Sequence, residues 1–449
     1  NCSRLTAVIF GDGISNVEIG DYAFYQLNLK VLNLPANAEI TIGDYAFADN
    51  MMLESVSLGK TVSIGNHAFE QMAQYADSGV ELVLPETLKT IGHYAFNGAK
   101  VATASFHGTS ALETIGAYAF SETSLSSFTV PASVRVIYAY AFSENDSLQS
   151  LLFEEGTADL VLGAPYNTGY SVEYGNVIYS TYSLKELHLP ARLTVIEREA
   201  FRYASDLKTV TFGSEGAPSR LITIGEKAFY STGLTTVTIP ASVRNTADSI
   251  AIGTEAFAFS SLTDIIFEMG GSSDTAPLTI GKDAFNGNTS LTAVVLPARF
   301  TSFTDADGNT IAPLGGSKLV FGSSIESIEI SGNGKSEYTS YDGCVFNADK
   351  TELIFCPRKK SGTVTIPASV KKIAAMAFDH CENLTSIEFA SGSVCEEIGE
   401  QAFSFCNSIK EIVLPDTVVS IEQNAFMSSR SLESFTIPAG LEYFNSLIL

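Results

Sequence analysis

The pair Ala-Phe, with isoleucine four residues before the alanine, occurs thirteen times in this chain. The phenylalanines are Phe24, Phe47, Phe69, Phe96, Phe120, Phe142, Phe201, Phe229, Phe257, Phe285, Phe378, Phe403 and Phe426. Most neighbouring copies stand 22 to 28 residues apart; the steps from Phe142 to Phe201 (59 residues) and from Phe285 to Phe378 (93) are the exceptions. Self-similarity at this period points to a solenoid, a chain that coils through equivalent laps. It overrides the prior of two or three globular domains that 449 residues would suggest.

A second element recurs between the Ala-Phe pairs. It reads "LKVLNLP" at Leu29, "LSSFTVP" at Leu125, "LTTVTIP" at Leu234, "LTAVVLP" at Leu291 and "IKEIVLP" at Ile409. Apolar positions alternate with polar or small ones, the period of a short strand. Proline then ends it, having no N–H for a following ladder. An apolar pair spaced by three follows, as in Val134 and Ile137, and leads to the Ile-Gly and a short helical or 3₁₀ turn at Ala-Phe. A single lap cannot bury both of its apolar sides, so laps must stack with equivalent strands in parallel. Phe then fills the interior against the Phe of the next lap, and Ala stays small where backbones approach. Nine of the thirteen copies carry Gly after the Ile; Tyr138, Glu197, Ala374 and Glu422 replace it, so that position does not demand φ > 0 and reads as an easy bend.

The segments "SLSSFTVPASVRVIYAYAF" (124–142) and "SIKEIVLPDTVVSIEQNAF" (408–426) carry a resemblance to leucine-rich repeats, most of all to the BspA-type subclass of surface proteins. The resemblance spans nearly the whole chain. It implies a leucine-rich repeat solenoid, an α/β repeat class that is strand-rich here, with a parallel concave sheet. It also implies a role like that of BspA-type adhesins, which recognise host proteins or other cells, and an extracellular or cell-surface location. Ordinary leucine-rich repeats place an Asn ladder after the strand; here Asn37, Thr61, Thr87, Ser133, Ser242, Ser369 and Thr417 stand there, able to bond the neighbouring lap's backbone.

The chain reads as one continuous solenoid over residues 1–449. In the 59-residue step, "LVLGAPYN" (160–167) looks like a worn copy with Pro165-Tyr166 in place of Ala-Phe. Residues 300–362 form an elaborated section, with turn signals at Asp307-Gly308 and Asn333-Gly334 and a β-hairpin about Asn347 to Thr351. "NCSRL" at the start matches mid-repeat segments at His380 and Phe405, so the chain is expected to begin inside a lap, as a segment of a longer protein.

Composition narrows the chemistry. A net charge of −24, with no Lys/Arg cluster larger than Arg358-Lys359-Lys360, argues against a nucleic-acid partner. No apolar run approaches the ~20 residues of a membrane-spanning helix. His67, His93, His107, His188 and His380 are scattered, and no zincin, nucleophile-elbow or phosphate-loop motif occurs. "DADGN" at 305–309 has Gly at position 4, where a calcium-binding EF-hand loop needs it at 6, and reads as a turn. Cys2, Cys381 and Cys406 share one repeat slot that elsewhere holds Asn50, Ala99, Thr123, Ala204 or Ser260, and no C-x-x-C pair exists, so packed thiols are expected rather than a metal. Cys344 and Cys356 flank the hairpin, where a cross-strand disulfide and two free thiols are both open. No catalytic residue, cofactor or metal is expected.

Outward positions of the strands carry Ser127, Thr129, Thr209, Thr211, Thr236, Thr238, Asp264, Ser386, Glu388 and Glu411, a face of small polar side chains. The reading is a non-catalytic binding module for a protein or cell-surface glycan, using that face. A structural spacer that holds another domain off the surface is the alternative. A carbohydrate-active enzyme is a third reading, because Glu388 and Glu411 lie as a diagonal pair on adjoining strands; a retaining glycosidase needs its two carboxyls ~5.5 Å apart in a cleft.

Overall fold

The structure, a computed structural model, describes residues 4–11, 13–169, 171–214, 216–269, 276–304, 310–311, 321–331 and 336–444. Cys2, the 305–309 turn and the Asn333-Gly334 turn fall outside them. Two compact units, Asn1–Leu234 and Thr235–Leu449, divide the chain. Each unit is a parallel β-solenoid of the leucine-rich repeat type.

Every regular lap contributes two strands. The Leu-Pro element forms one, such as Ser127–Val130 or Thr236–Ile239, and proline follows directly at Pro131 and Pro240. The proline carbonyl then closes a tight turn, accepting the amides of Val134 and Val243 at 3.1 Å. The stretch before Ile-Gly is the second strand, and it builds the longer sheet. In the first unit that sheet has nine strands, from Asn16–Ile19 to Thr223–Ile224, all parallel. The Leu-Pro strands form a five-stranded sheet and then separate pairs. In the second unit a seven-stranded sheet holds Lys372–Ile373, Glu397–Ile398 and Ser420–Ile421, with the hairpin strands at one side.

The Ala-Phe corners are hydrogen-bonded turns, and the helical or 3₁₀ turn expected there does not form. Alternate amides explain why. Tyr22, Phe24 and Gln26 donate to Asp44, Ala46 and Ala48 of the next lap, whereas Ala23 and Tyr25 donate back three residues to Gly20 and Tyr22. A helix would aim every amide along its own axis. Sending every second one sideways requires left-handed backbone twice per corner, at Tyr22 (φ 55°) and Gln26 (φ 52°) in the first and at Tyr45 and Asp49 in the second. Each such residue costs about 1–2 kcal/mol, offset by the lap-to-lap bonds.

The glycine after Ile has a different reason from a bend. A methyl group on Gly65, Gly92 or Gly116 would come within 2.5–2.6 Å of the glycine one lap earlier. Close approach of stacked backbones sets that preference.

Inside, the phenylalanines stack as expected. Centroids from Phe24 through Phe47, Phe69, Phe96 and Phe120 to Phe142 are 5.2–5.7 Å apart. Phe378, Phe403 and Phe426 repeat this at 5.2 Å. The worn copy falls elsewhere than Pro165-Tyr166. Phe142 donates its amide to Val177, so Val177 and the buried Ile178 take the Ala-Phe place, and the chain first makes a small antiparallel excursion pairing Tyr166–Asn167 with Val172–Glu173. In the 93-residue step Phe321 stacks on Phe285 at 5.4 Å, a column member that lacks the Ala-Phe signature.

The hairpin about Asn347 to Thr351 forms, and a third strand, Tyr338–Tyr341, joins it. Asn347 Oδ1 holds the loop by accepting the amides of Thr351 and Glu352.

Two polar ladders satisfy the interior. The slot three residues after Phe reaches the Phe carbonyl of the previous lap: Asn50 to Phe24, Asn145 to Phe120 and Asn288 to Phe257, at 2.7–2.9 Å. Cys406 does the same to Phe378 through its thiol at 3.2 Å. The hydroxyls expected after the strand act only in part. Thr87 bonds Thr61 and Thr417 bonds Cys395 across laps, while Ser133 and Ser242 find no partner among the described residues. In those two laps a buried arginine from two laps on reaches the proline-turn carbonyls: Arg192 bonds Pro131 (2.9 Å) and Val134, and Arg299 bonds Pro240 and Val243.

Phe69 is fully buried and stacked on both sides. Phe69→Ala is expected to destabilise the first unit by about 3–5 kcal/mol and Phe69→Leu by clearly less. Urea unfolding followed by far-UV circular dichroism measures both; an unchanged midpoint for Phe69→Ala removes the stacked column as a stabilising feature.

Candidate interaction surfaces

The strand face foreseen from the sequence lies outward. Ser127, Thr129, Thr211, Thr236, Asp264, Glu388 and Glu411 are exposed, and Thr209, Thr238 and Ser386 are half-buried. Parallel register places each beside a neighbour: Thr236 by Asp264, Thr211 by His188, Thr365 by Glu388 and Glu411 by Ser434. His188 Nδ1 and Thr211 Oγ1 meet at 2.7 Å. Glu388 and Glu411 thus belong to an open face. A retaining glycosidase holds its two carboxyls in a cleft about 5.5 Å apart, whereas both of these side chains are exposed.

A second surface was missed. In the first unit the residue before Ala is aromatic in six successive laps: Tyr22, Tyr45, His67, Tyr94, Tyr118 and Tyr140. Their rings stack with centroids 4.3–4.8 Å apart and planes within 14° of parallel. The signal lies in "GDYAF" and "GHYAF", where an aromatic residue precedes Ala-Phe at the lap period.

The residue just before each ring locks the laps together. Asp21 Oδ1 accepts the amide of Asp44, Asp44 that of Asn66, Asn66 that of His93, and His93 Nδ1 that of Ala117, at 2.6–2.8 Å. His93 Nδ1 is an acceptor, so the ring is neutral with its proton on Nε2. Burial lowers its pKa accordingly, with His67 adding to the effect.

The excursion folds back onto this column. Tyr166 packs on His93 at 4.0 Å, and Tyr138 meets His93 edge-on at 5.2 Å. Gly175 lies against Tyr140, where a methyl group would come within 2.5 Å of the ring. Beyond it are exposed Tyr174, Tyr179, Tyr182 (58% exposed) and Tyr203 (46%). Arg202 lies 4.5 Å over Tyr203 and 5.5 Å over Tyr230, held by Glu199, and Arg198 lies 5.2 Å over Tyr174. Tyr174, Arg198, Arg202 and Tyr203, linked through Glu199, are of the residue types that anchor interfaces.

Cys344, Cys356, Cys381, Cys395 and Cys406 are buried free thiols, and among the described residues no group of three or more metal-ligating side chains is arranged to hold a metal.

The BspA type leucine rich repeat region matches the sequence at residues 1–77, 74–170, 173–307 and 352–448. The chain belongs to this family. Solved structures similar to it include a leucine-rich repeat protein from Bacteroides ovatus, 18% identical over 97% of this chain and 84% of its own, with a TM-score of 0.41. The pneumococcal vaccine antigen PcpA is 22% identical over 73% of this chain, with a TM-score of 0.36, and the chain spans 61% of its length. A leucine rich cell surface protein from Faecalibacterium prausnitzii is 17% identical over 97% of this chain and 84% of its own, with a TM-score of 0.25. No protein of curated function matches. Membership of this repeat family fits a protein-interaction module. Among the described residues no helix is long and apolar enough to cross a membrane.

Burial, with the charges of Tyr166 and Glu173, pushes the Tyr94 phenol up to about 12. The unfolded chain releases that proton near pH 10. The stabilisation is therefore whole below pH 10 and lost as the pH climbs toward 12. Unfolding free energy measured from pH 9 to 12 should fall over that window, and Tyr94→Phe should flatten the fall; an equal slope in the variant removes Tyr94 as its source.

Proposed function

We propose that this chain is the non-catalytic recognition part of a secreted or surface-attached protein, binding a host or neighbouring-cell protein or a cell-surface glycan. The carrying observation is the outward strand face, where small polar and β-branched side chains stand in parallel register from lap to lap. Such a face recognises by area and shape, with weak contacts summed over many laps. Ser127, Thr129, Thr209, Thr211, Thr236, Thr238, Asp264, Ser386, Glu388 and Glu411 are its proposed contacts.

A second reading places the contact on the corner side of the first unit. It is favoured by the exposed Tyr174, Tyr179, Tyr182 and Tyr203 beside Arg198 and Arg202. Rigid aromatic anchors concentrate binding energy, unlike a spread of threonines.

Binding of the wild type and three variants to matrix proteins and to intact cells separates these readings. Thr236→Ala should change affinity less than about twofold. Thr236→Arg should weaken it by about tenfold or more, near 1.4 kcal/mol. If Thr236→Arg binds as the wild type does and the pair Tyr182→Ala with Tyr203→Ala does not, the corner side is the site. Wild type that binds nothing supports the spacer.

A further inference from the structure

Three thiols meet where the Phe column of the second unit begins. Cys356 donates its amide to Ala377 at 2.8 Å, as Phe378 donates to Ala402 and Phe403 to Ala425. Cys356 therefore fills the column slot one lap before Phe378. Cys344 faces it. Val345 pairs with Phe355 in antiparallel register, and carrying that register one residue further on each strand brings Cys344 opposite Cys356. Cβ atoms of such opposed residues lie about 4.5–5.5 Å apart, closer in pairs without ladder bonds, and a disulfide spans about 3.5–4.5 Å.

Cys344, Cys356 and Cys381 are all fully buried in one core cluster of the second unit. Cys381 is already employed: its Sγ donates to the Cys356 carbonyl at 3.5 Å, the bond Asn50 makes to Phe24 in the first unit. That leaves Cys344 as the natural covalent partner.

We propose that Cys344 and Cys356 form a disulfide as the chain folds in an oxidising compartment, fastening the hairpin to the first slot of the column. The two thiols give up two protons and two electrons and one Sγ–Sγ bond forms. The electrons pass to a low-molecular-weight disulfide, whose own S–S bond breaks to give two thiols. Attack needs a thiolate, and all three cysteines are fully buried in the folded unit. Exchange therefore belongs to the folding chain, before the hairpin docks, and burial afterwards shields the bond from reductant. The compartment follows from the surface reading above, while the pairing rests on register alone.

The full chain is reduced in denaturant, refolded in mixed reduced and oxidised glutathione, alkylated in denaturant and digested with trypsin. Cleavage after Lys350 separates the two cysteines. The expected result is alkylation of four of the six cysteines and a reducible cross-link joining residues 336–350 to 351–358. Cys381→Ser should keep that cross-link and Cys344→Ser should abolish it, with circular dichroism reporting that each variant folds. Alkylation of all six, glutathione adducts at Cys344 or Cys356, a cross-link to Cys381, or zinc retained by the refolded chain overturns the proposal. None of these readouts depends on where the protein resides, so a failure here leaves the surface reading standing.

Discussion

The closeness of one lap to the next at the Ala-Phe corner governs this fold. Alternate corner amides cross to the neighbouring lap, from Tyr22 to Asp44 and from Phe24 to Ala46. That crossing forces two left-handed residues per corner and excludes a helical turn. It also brings Gly65, Gly92 and Gly116 so near the preceding glycine that a methyl group would collide. The fully buried alanines and the Phe stack at 5.2–5.7 Å follow from the same spacing, which is near the ~4.8 Å of paired strands. A corner of this kind is a parallel ladder continued through a bend.

Features that repeat within a single lap were legible in the sequence. The strand before proline, the Phe column and the stacking direction all follow from letters at fixed spacing. Features that exist only between laps were not. The Asn50, Asn145 and Asn288 bonds to Phe carbonyls were hidden because the same slot also takes Cys, Thr or Ser, and any side-chain donor of suitable length serves. Arg192 was hidden because its partners lie 58 and 61 residues back, beyond two periods. The worn copy was misplaced because Pro165-Tyr166 sits at the expected distance, while an excursion delays the true corner to Val177-Ile178. The outward strand positions are exposed or half-buried, as strand alternation requires, but what they touch does not follow from their placement.

The two buried arginines answer a shared packing problem. In each unit a lap reading Pro-Ala-Ser-Val-Arg is followed by one with no proline corner, then by one reading Pro-Ala-Arg. The middle lap carries no proline turn of its own, and the arginine of the following lap adds a second donor to the Pro131 or Pro240 carbonyl beside the amide of Val134 or Val243. A guanidinium is long enough to cross that lap and carries several donors in a fixed fork. Glu154 and Glu268 complete the same junction, accepting the amides of Ala132 and Ala241. Buried cations are expensive unless fully bonded, so these junctions tie three laps into one cooperative piece.

The two candidate surfaces differ in what their residue choice signifies. Threonine, serine and valine on an exposed strand also satisfy β-propensity, so that face would recognise a ligand by its area and shape and not by the identity of any one side chain. The corner positions have the opposite bias. At φ near +55° the backbone favours glycine, asparagine or aspartate over a large ring. The second unit follows that bias in part, with Glu255, Asp283, Gln401 and Asn424 in this place. In the first unit, before Glu199 and Lys227 take the place, six laps set five tyrosines and a histidine there, the tyrosines against the backbone preference. Their faces are spent on one another at 4.3–4.8 Å, and Tyr94 and Tyr118 are held neutral far above the usual phenol range by burial. What such a column offers outward is its edge, a row of ring hydrogens and hydroxyls at lap spacing that stops at Tyr140, where the next two laps set Asn176 and Glu199 in this place. A regular edge that runs against local preference is harder to attribute to folding alone than a sheet of threonines is.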